Sequence, residues 1–179
     1  MALPIHLGGH KGRTHTDSGV LDFFWNNHSC RSLIDVGCGP GGQVELAKSL
    51  GWTAHGIDGD YTLNRSFECE IMDFTKTQYE PQRTYDLAWC VEFLEHVEEQ
   101  YIPNYMPALA GARFCVVTHA LPGEQGHHHV NCQTNQYWIE KFAEYGLQYN
   151  SALTDKIRKA SNMERDFIRR RGLAFVRVD

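Results

Sequence analysis

The string Asp35-Val36-Gly37-Cys38-Gly39-Pro40-Gly41-Gly42 limits what this chain can fold into more than any other stretch. It follows a branched apolar run, Ser32–Val36, and opens residues 42–50, which have helical periodicity. Glycines at 37, 39, 41 and 42 let the backbone turn sharply and let a ligand approach with no Cβ in the way. Strand, glycine turn and helix make the start of a βαβ unit. The pattern then repeats: short apolar runs recur at 53–57, 87–91, 114–117 and 173–178, with helical periodicity between several of them, as at 137–145. Such alternation predicts an α/β fold on a mostly parallel sheet.

Other segments fit this frame. Residues 17–27 put Val20, Leu21, Phe24 and Trp25 on one face of a leading helix, and 68–73 reads as a weaker third strand. Thr134 caps a helix through Trp138, Ile139 and Phe142 that ends near Gly146. A sixth strand is expected at 147–150. One helical stretch follows from 153 to about 170, with Leu153, Ile157, Ala160, Met163 and Phe167 in a stripe. The final strand ends at Val178, so the chain reads as complete.

At 179 residues, without a linker or repeat, the expectation is a single domain, residues 1–179. With 42 % hydrophobic and 22 % charged residues, disorder and collagen-like repeats are excluded. No apolar run approaches the ~18 residues of a membrane span, and the first twenty residues lack a signal-peptide core. Cys30, Cys38, Cys69, Cys90, Cys115 and Cys132 contain no CxxC pair, so reduced, mostly packed thiols and a cytoplasmic setting are expected. The net charge of −5 argues against a general nucleic-acid coat.

Gly37, Gly39 and Gly42 also satisfy G-x-G-x-x-G, the dinucleotide fingerprint. Asp35 weighs against that reading, because its carboxylate would repel a pyrophosphate and attract an ammonium or sulfonium. Asp58 ends the second strand, where it can accept ribose hydroxyls. This layout resembles motif I of the class I S-adenosylmethionine-dependent methyltransferases, D-x-G-x-G-x-G. Asp73, with Met72 and Phe74 beside it, falls where that family often holds adenine. Glu92-Phe93-Leu94-Glu95-His96-Val97 resembles the E-x-L-E-H-V stretch after strand four of many of its members, including those of ubiquinone biosynthesis and small-RNA 2′-O-methylation. The resemblance covers about residues 30–150 and implies a Rossmann-like fold of seven strands with helices on both faces. It implies S-adenosylmethionine as cofactor, held by Asp35, Gly37, Cys38, Gly39, Asp58, Gly59, Met72, Asp73, Phe74 and Cys90.

Methyl transfer is an in-line displacement, so alignment and exclusion of water are the enzyme's main contribution. A hydroxyl acceptor must also lose a proton, and histidine is the usual side chain for that. Ten histidines are present, and the loop after the fifth strand holds His119, His127, His128 and His129. In an extended loop His127 and His129 share a side and His128 takes the other. His128 or His129 is the expected base or acceptor-binding residue, then His119, with Glu92 and Cys90 lining the methyl channel. His6, His10 and His15 lie in a segment read as a lid.

If 92–96 is helical, Glu92, Glu95 and His96 share a face. In the resembling enzymes these positions hold a divalent metal, and His129 would complete the set. Mixed oxygen and imidazole ligands suit Mn²⁺, Co²⁺ or Zn²⁺ better than Mg²⁺. Other members of the family use the glutamate to bond the lid, without metal.

Seven basic residues against three acidic ones lie between Asp155 and Arg171. They could border the substrate cleft or form a solvated face. No stacking aromatics are interleaved with them apart from Phe167, which belongs to the apolar stripe, so nucleic acid is not favoured. The parts expected are residues 1–29 as lid and helix, 30–150 as cofactor core, and 151–179 as basic helix and final strand. The expected function is methyl transfer to a hydroxyl of a small molecule or glycan. The alternatives are an RNA or protein methyltransferase acting with a partner, and a non-catalytic cofactor-binding module.

Overall fold

The structure, a computed structural model, describes residues 3–10 and 12–178. Met1, Ala2, Lys11 and Asp179, which bear on the expected domain limits and lid, lie outside the described residues. The strands are β1 (Ser32–Val36), β2 (Thr53–Asp58), β3 (Cys69–Ile71), β4 (Tyr85–Cys90), β5 (Ala112–Val117), β6 (Leu147–Tyr149) and β7 (Leu173–Arg177). They form one sheet in the order β3-β2-β1-β4-β5-β7-β6. β1, β2, β3, β4 and β5 pair parallel in it, and β7 runs antiparallel between β5 and β6.

The helices are α1 (Ser18–His28), α2 (Gly42–Ser49), α3 (Ile102–Ala110), α4 (Asn135–Ala143), α5 (Ser151–Ala160) and α6 (Phe167–Arg171). Alternate strand residues face opposite layers. Leu33, Leu87, Trp89, Phe114 and Val116 pack with Phe24 of α1, Val44 of α2 and Ile157 of α5. Ile34, Val36, Ala88, Cys115 and Val117 pack with Met106 of α3 and Trp138 and Phe142 of α4. Strands buried on both faces explain the unbroken apolar runs in the sequence. The expected seven-stranded, mostly parallel sheet with helices on both faces is the fold found.

Asp17 ties one layer together. Its Oδ1 accepts from Val20 N at 3.0 Å, capping α1, and from Asn162 N at 3.2 Å; Oδ2 accepts from Ser161 Oγ. Its own N–H donates to Gln43 Oε1 of α2 at 2.8 Å. The side chain is fully buried.

One expectation is corrected. The single helix over 153–170 is two, α5 and α6, separated by 161–166. Ser161 leaves the helix with φ −60° and ψ 127° as its hydroxyl turns to Asp17. β4 spans Tyr85–Cys90, as the sequence leads one to expect. Its polar Asp86 is held by Arg31 N, Ser32 N and Ser32 Oγ at 2.8–3.0 Å. α3, not anticipated, carries Pro103 in its first turn, where the N–H has no helical partner to lose.

Replacing Asp17 by alanine removes a cap and orphans the Ser161 and Asn162 donors that follow α5. Chemical denaturation of D17A is expected to show a loss of about 2–4 kcal/mol; a change under ~0.5 kcal/mol would contradict this role.

Candidate active site

Strand order reverses beside β1, whose neighbours β2 and β4 lead to opposite wings of the sheet, and ligands bind at such a point. A cavity of about 1150 Å³ opens there. Asp35, Gly37, Cys38, Gly39, Asp58, Gly59, Met72, Asp73 and Phe74 all line it. Cys90 does not: it is fully buried, facing the α3 and α4 layer, because it is one strand position away from the cavity-lining Trp89.

The glycine loop stands on β2, with Gly37 N and Cys38 N donating to Ile57 O at 2.9 and 3.1 Å. Gly37 has φ +76°, and a Cβ there would meet the Phe93 ring at 2.2 Å; only glycine fits. Gly39 N donates to Asp58 Oδ2 at 2.8 Å. Arg65 clamps the same corner, bonding Gly39 O at 2.7 Å and Asp58 Oδ1 at 3.2 Å. Asp35 is 3 % exposed, and its carboxylate has no hydrogen-bond partner among the described residues. Burial, then the nearby Asp58, push its pKa well above the carboxylate range.

The N-terminal segment crosses this cleft. His6 Nε2 donates to Asp73 at 3.1 Å and His10 Nε2 to Asp60 Oδ2 at 3.0 Å. Thr75 and Lys76 also bond Asp73. Burial works to raise the Asp73 carboxyl, but the bonds from Lys76, Thr75 and His6 outweigh it and hold the group well below its ordinary range. An adenine amino group approaching this carboxylate would therefore compete with His6. Asp60, which the sequence reading missed, is almost fully buried. Its signal was the Asp58-Gly59-Asp60 repeat of an acid two positions on.

At the other end Glu92, with φ +55°, lines the cavity. Its N–H donates to Thr118 Oγ1 at 2.8 Å, and that hydroxyl donates back to Glu92 Oε1 at 2.9 Å. Burial raises the Glu92 carboxyl. Thr118, also missed, follows β5 directly and is fully buried.

Residues 94–96 form one 3₁₀ turn rather than a longer helix. Glu92 therefore stands apart from the cluster that Glu95, His96 and His129 form, whose ligand atoms lie within 4.8 Å of one another. Glu95 O accepts from Val130 N and Asn131 N at 2.9 and 3.1 Å, which pins the post-β5 loop here. His96 Nδ1 donates to His127 O at 2.7 Å and His129 Nδ1 to Glu124 O at 3.0 Å. A carbonyl only accepts, so both imidazoles carry the proton on Nδ1 and a lone pair on Nε2. Both Glu95 carboxylate oxygens are buried without a hydrogen-bond partner. Burial, then Glu92, push the Glu95 pKa up to about 8, and burial takes His96 down to about 4.

The remaining histidines are placed otherwise. His128, at φ +48°, turns its Nε2 to 3.4 Å from Glu98 and does not line the cavity. His119 is fully buried and bonds Asn135 Oδ1 at 2.9 Å, also away from it. His127 donates to Ile5 O at 2.8 Å, joining the loop to the N-terminal segment. His15 lines the cavity with Arg165 and Phe167, whose ring it meets edge-on at 5.1 Å. Much of the basic stretch is used internally: Arg158 bonds Gly172 O, Arg169 bonds Met163 O, and Arg171 pairs with Glu124.

Residues 10–112, more than half of the chain, match the model of a family described as a methyltransferase domain. The chain belongs to that family, the class I S-adenosylmethionine-dependent methyltransferases. Three solved structures resemble it. The sugar N-methyltransferase KedS8 from a Streptoalloteichus species has a TM-score of 0.65 at 12 % identity, over 90 % of this chain and 86 % of that one. Magnesium protoporphyrin IX methyltransferase from Synechocystis, with S-adenosylmethionine bound, scores 0.61 at 14 % identity over 90 % and 77 %. The methyltransferase domain of the bacterial protein CtHen1 scores 0.57 at 18 % identity over 74 % and 84 %. These are likenesses of fold. Among curated protein sequences none matches. The chain's cofactor is S-adenosylmethionine.

The cavity fits that cofactor. The buried Asp35 carboxylate is available to a cationic donor, and the glycine loop leaves the backbone open to it. The cluster likewise fits a divalent cation: an unpaired buried carboxylate faces two imidazoles in the ligating tautomer.

The two shifts predict a pH signature for the metal-free protein. A depressed His96 favours folding as pH rises from about 4 to 6.5, while a raised Glu95 disfavours it up to about 8. Above pH 6.5 only the Glu95 effect remains, so stability falls towards pH 8. In E95Q this decline should be smaller, as read by thermal melts in chelator. Equal slopes in the two proteins would refute the assignment.

Proposed function

We propose that this methyltransferase transfers its methyl group to a hydroxyl of a small molecule or glycan, with a divalent cation at Glu95, His96 and His129. One observation carries the reading: the Glu95 carboxylate, buried and without a hydrogen bond, facing two imidazoles that carry Nε2 lone pairs beside the cavity. An amine acceptor arrives with its own lone pair, whereas a hydroxyl needs its proton taken. A cation bound there lowers the pKa of a coordinated hydroxyl.

The chain's own residues then have distinct tasks. Asp35, Gly37, Gly39, Asp58 and Asp73 hold the donor, with Met72 and Phe74 against the adenine. Glu92, fixed by Thr118, borders the methyl path and takes the acceptor's proton; its raised pKa brings it closer to that task. His129 positions the acceptor. Residues 1–29 act as lid and leading helix, 30–150 as cofactor core, and 151–179 close the cleft from the side of Arg165 and Phe167. His6 and His10 latch the lid to Asp73 and Asp60.

No described helix is long and apolar enough to cross a membrane. The reading places the enzyme in the cytoplasm, acting without a nucleic-acid partner.

The test is transfer of radiolabelled methyl into sugar, small-molecule, RNA and protein fractions. Label is expected in the sugar or small-molecule fraction, abolished by chelator and restored by Mn²⁺. H129A and E95Q should each lose at least tenfold in metal affinity and activity, the scale on which metal sites respond. Label in RNA or protein supports the partner-dependent alternative. No label in any fraction, despite binding of S-adenosylhomocysteine, supports a non-catalytic module.

A further inference from the structure

Two cysteines that the methyl-transfer reading leaves without chemistry stand together under the glycine loop. Cys38 Sγ lies 3.6 Å from Cys69 Sγ. Cys38 is the residue between Gly37 and Gly39, and Cys69 opens β3. Their approach depends on Gly56. It pairs in register with Cys69, so the two share a sheet face, and a Cβ at Gly56 would lie 2.9 Å from Cys38 Sγ. The missing side chain is the space the thiol fills.

We propose that Cys38 and Cys69 form a reversible disulfide with hydrogen peroxide as oxidant, and that closing it switches off cofactor binding. This rests on the cofactor lying against Gly37 and Gly39. Sulfur atoms 3.6 Å apart need to close only to ~2.05 Å. The hydrogen bond with Cys38, then the charge of Arg65, outweigh burial and hold the Cys69 thiol below its ordinary range. Cys69 is part-exposed whereas Cys38 is buried, so Cys69 is the sulfur a peroxide reaches.

The Cys69 thiolate attacks one peroxide oxygen. The O–O bond breaks, hydroxide leaves and takes up a proton as water, and Cys69 becomes a sulfenic acid. The Cys38 sulfur then attacks the Cys69 sulfur. The S–O bond breaks, and the departing hydroxyl takes the Cys38 proton as a second water. Two thiols lose two electrons in all, and one peroxide gains them.

The consequence falls on the loop. Cys38 N and Gly39 N are held by Ile57 O and the Asp58 carboxylate, and Arg65 grips Gly39 O. Drawing Cys38 towards β3 moves these donors away from the positions that shape the cleft.

The test treats the full chain with hydrogen peroxide, blocks free thiols, maps peptides without reduction and measures S-adenosylhomocysteine affinity by calorimetry. A linked Cys38 and Cys69 peptide is expected, with affinity at least tenfold weaker and recovered on adding dithiothreitol. C69S should bind as the reduced protein does and stay indifferent to peroxide. The proposal is overturned by a Cys69 sulfinic acid without linkage, by linkage at unchanged affinity, or by an equal peroxide effect in C69S. Absence of binding by the fully reduced protein would sink the cofactor-site assignment and the switch with it, while the peptide map would still decide whether the thiols pair.

Discussion

The position of β1 between β2 and β4 is the constraint on which the site depends. Parallel strands on both sides send their connections to opposite layers, which leaves a crevice at the carboxyl end of β1. The glycine loop occupies that gap and hangs from Ile57 O by two backbone bonds. Asp35, Asp58 and Asp73 therefore reach the cavity from β1, β2 and the segment after β3, and Glu92 and His129 reach it from beyond β4 and β5.

Electrostatics follow the same division. On the donor side Asp58 and Asp73 are compensated, by Arg65 and by Lys76 and His6. Asp35 is not, and on the acceptor side Glu95 is not. An uncompensated buried carboxylate costs stability unless something positive joins it. Asp35 borders the cavity beside the glycine loop, and Glu95 lies in the cluster that fits a cation.

The fold was legible because strands are marked by apolar runs, and Asp35, Asp58 and Asp73 sit at or just past strand ends that line one cavity. The acceptor half was less legible because it hangs on turn geometry. Alternation in an extended loop put His128 opposite His129, and His128 indeed faces Glu98, but nothing in the spacing showed that this side lies away from the cavity. Glu92 leaves the expected helical face because its φ of +55° aims it at Thr118. The break between α5 and α6 was hidden for another reason. Its cause, Asp17, lies 144 residues from Ser161 in sequence.

The antiparallel β7 has a consequence for how the molecule is made. β6 pairs with β7 alone, and β7 completes the edge of β5. On a ribosome, β5 must wait with one edge open while α4, β6, α5 and α6 are synthesised after it. An open apolar strand edge recruits other chains. The last strand to emerge is therefore the one that closes the sheet, and the nascent chain's exposure to aggregation ends only when it arrives.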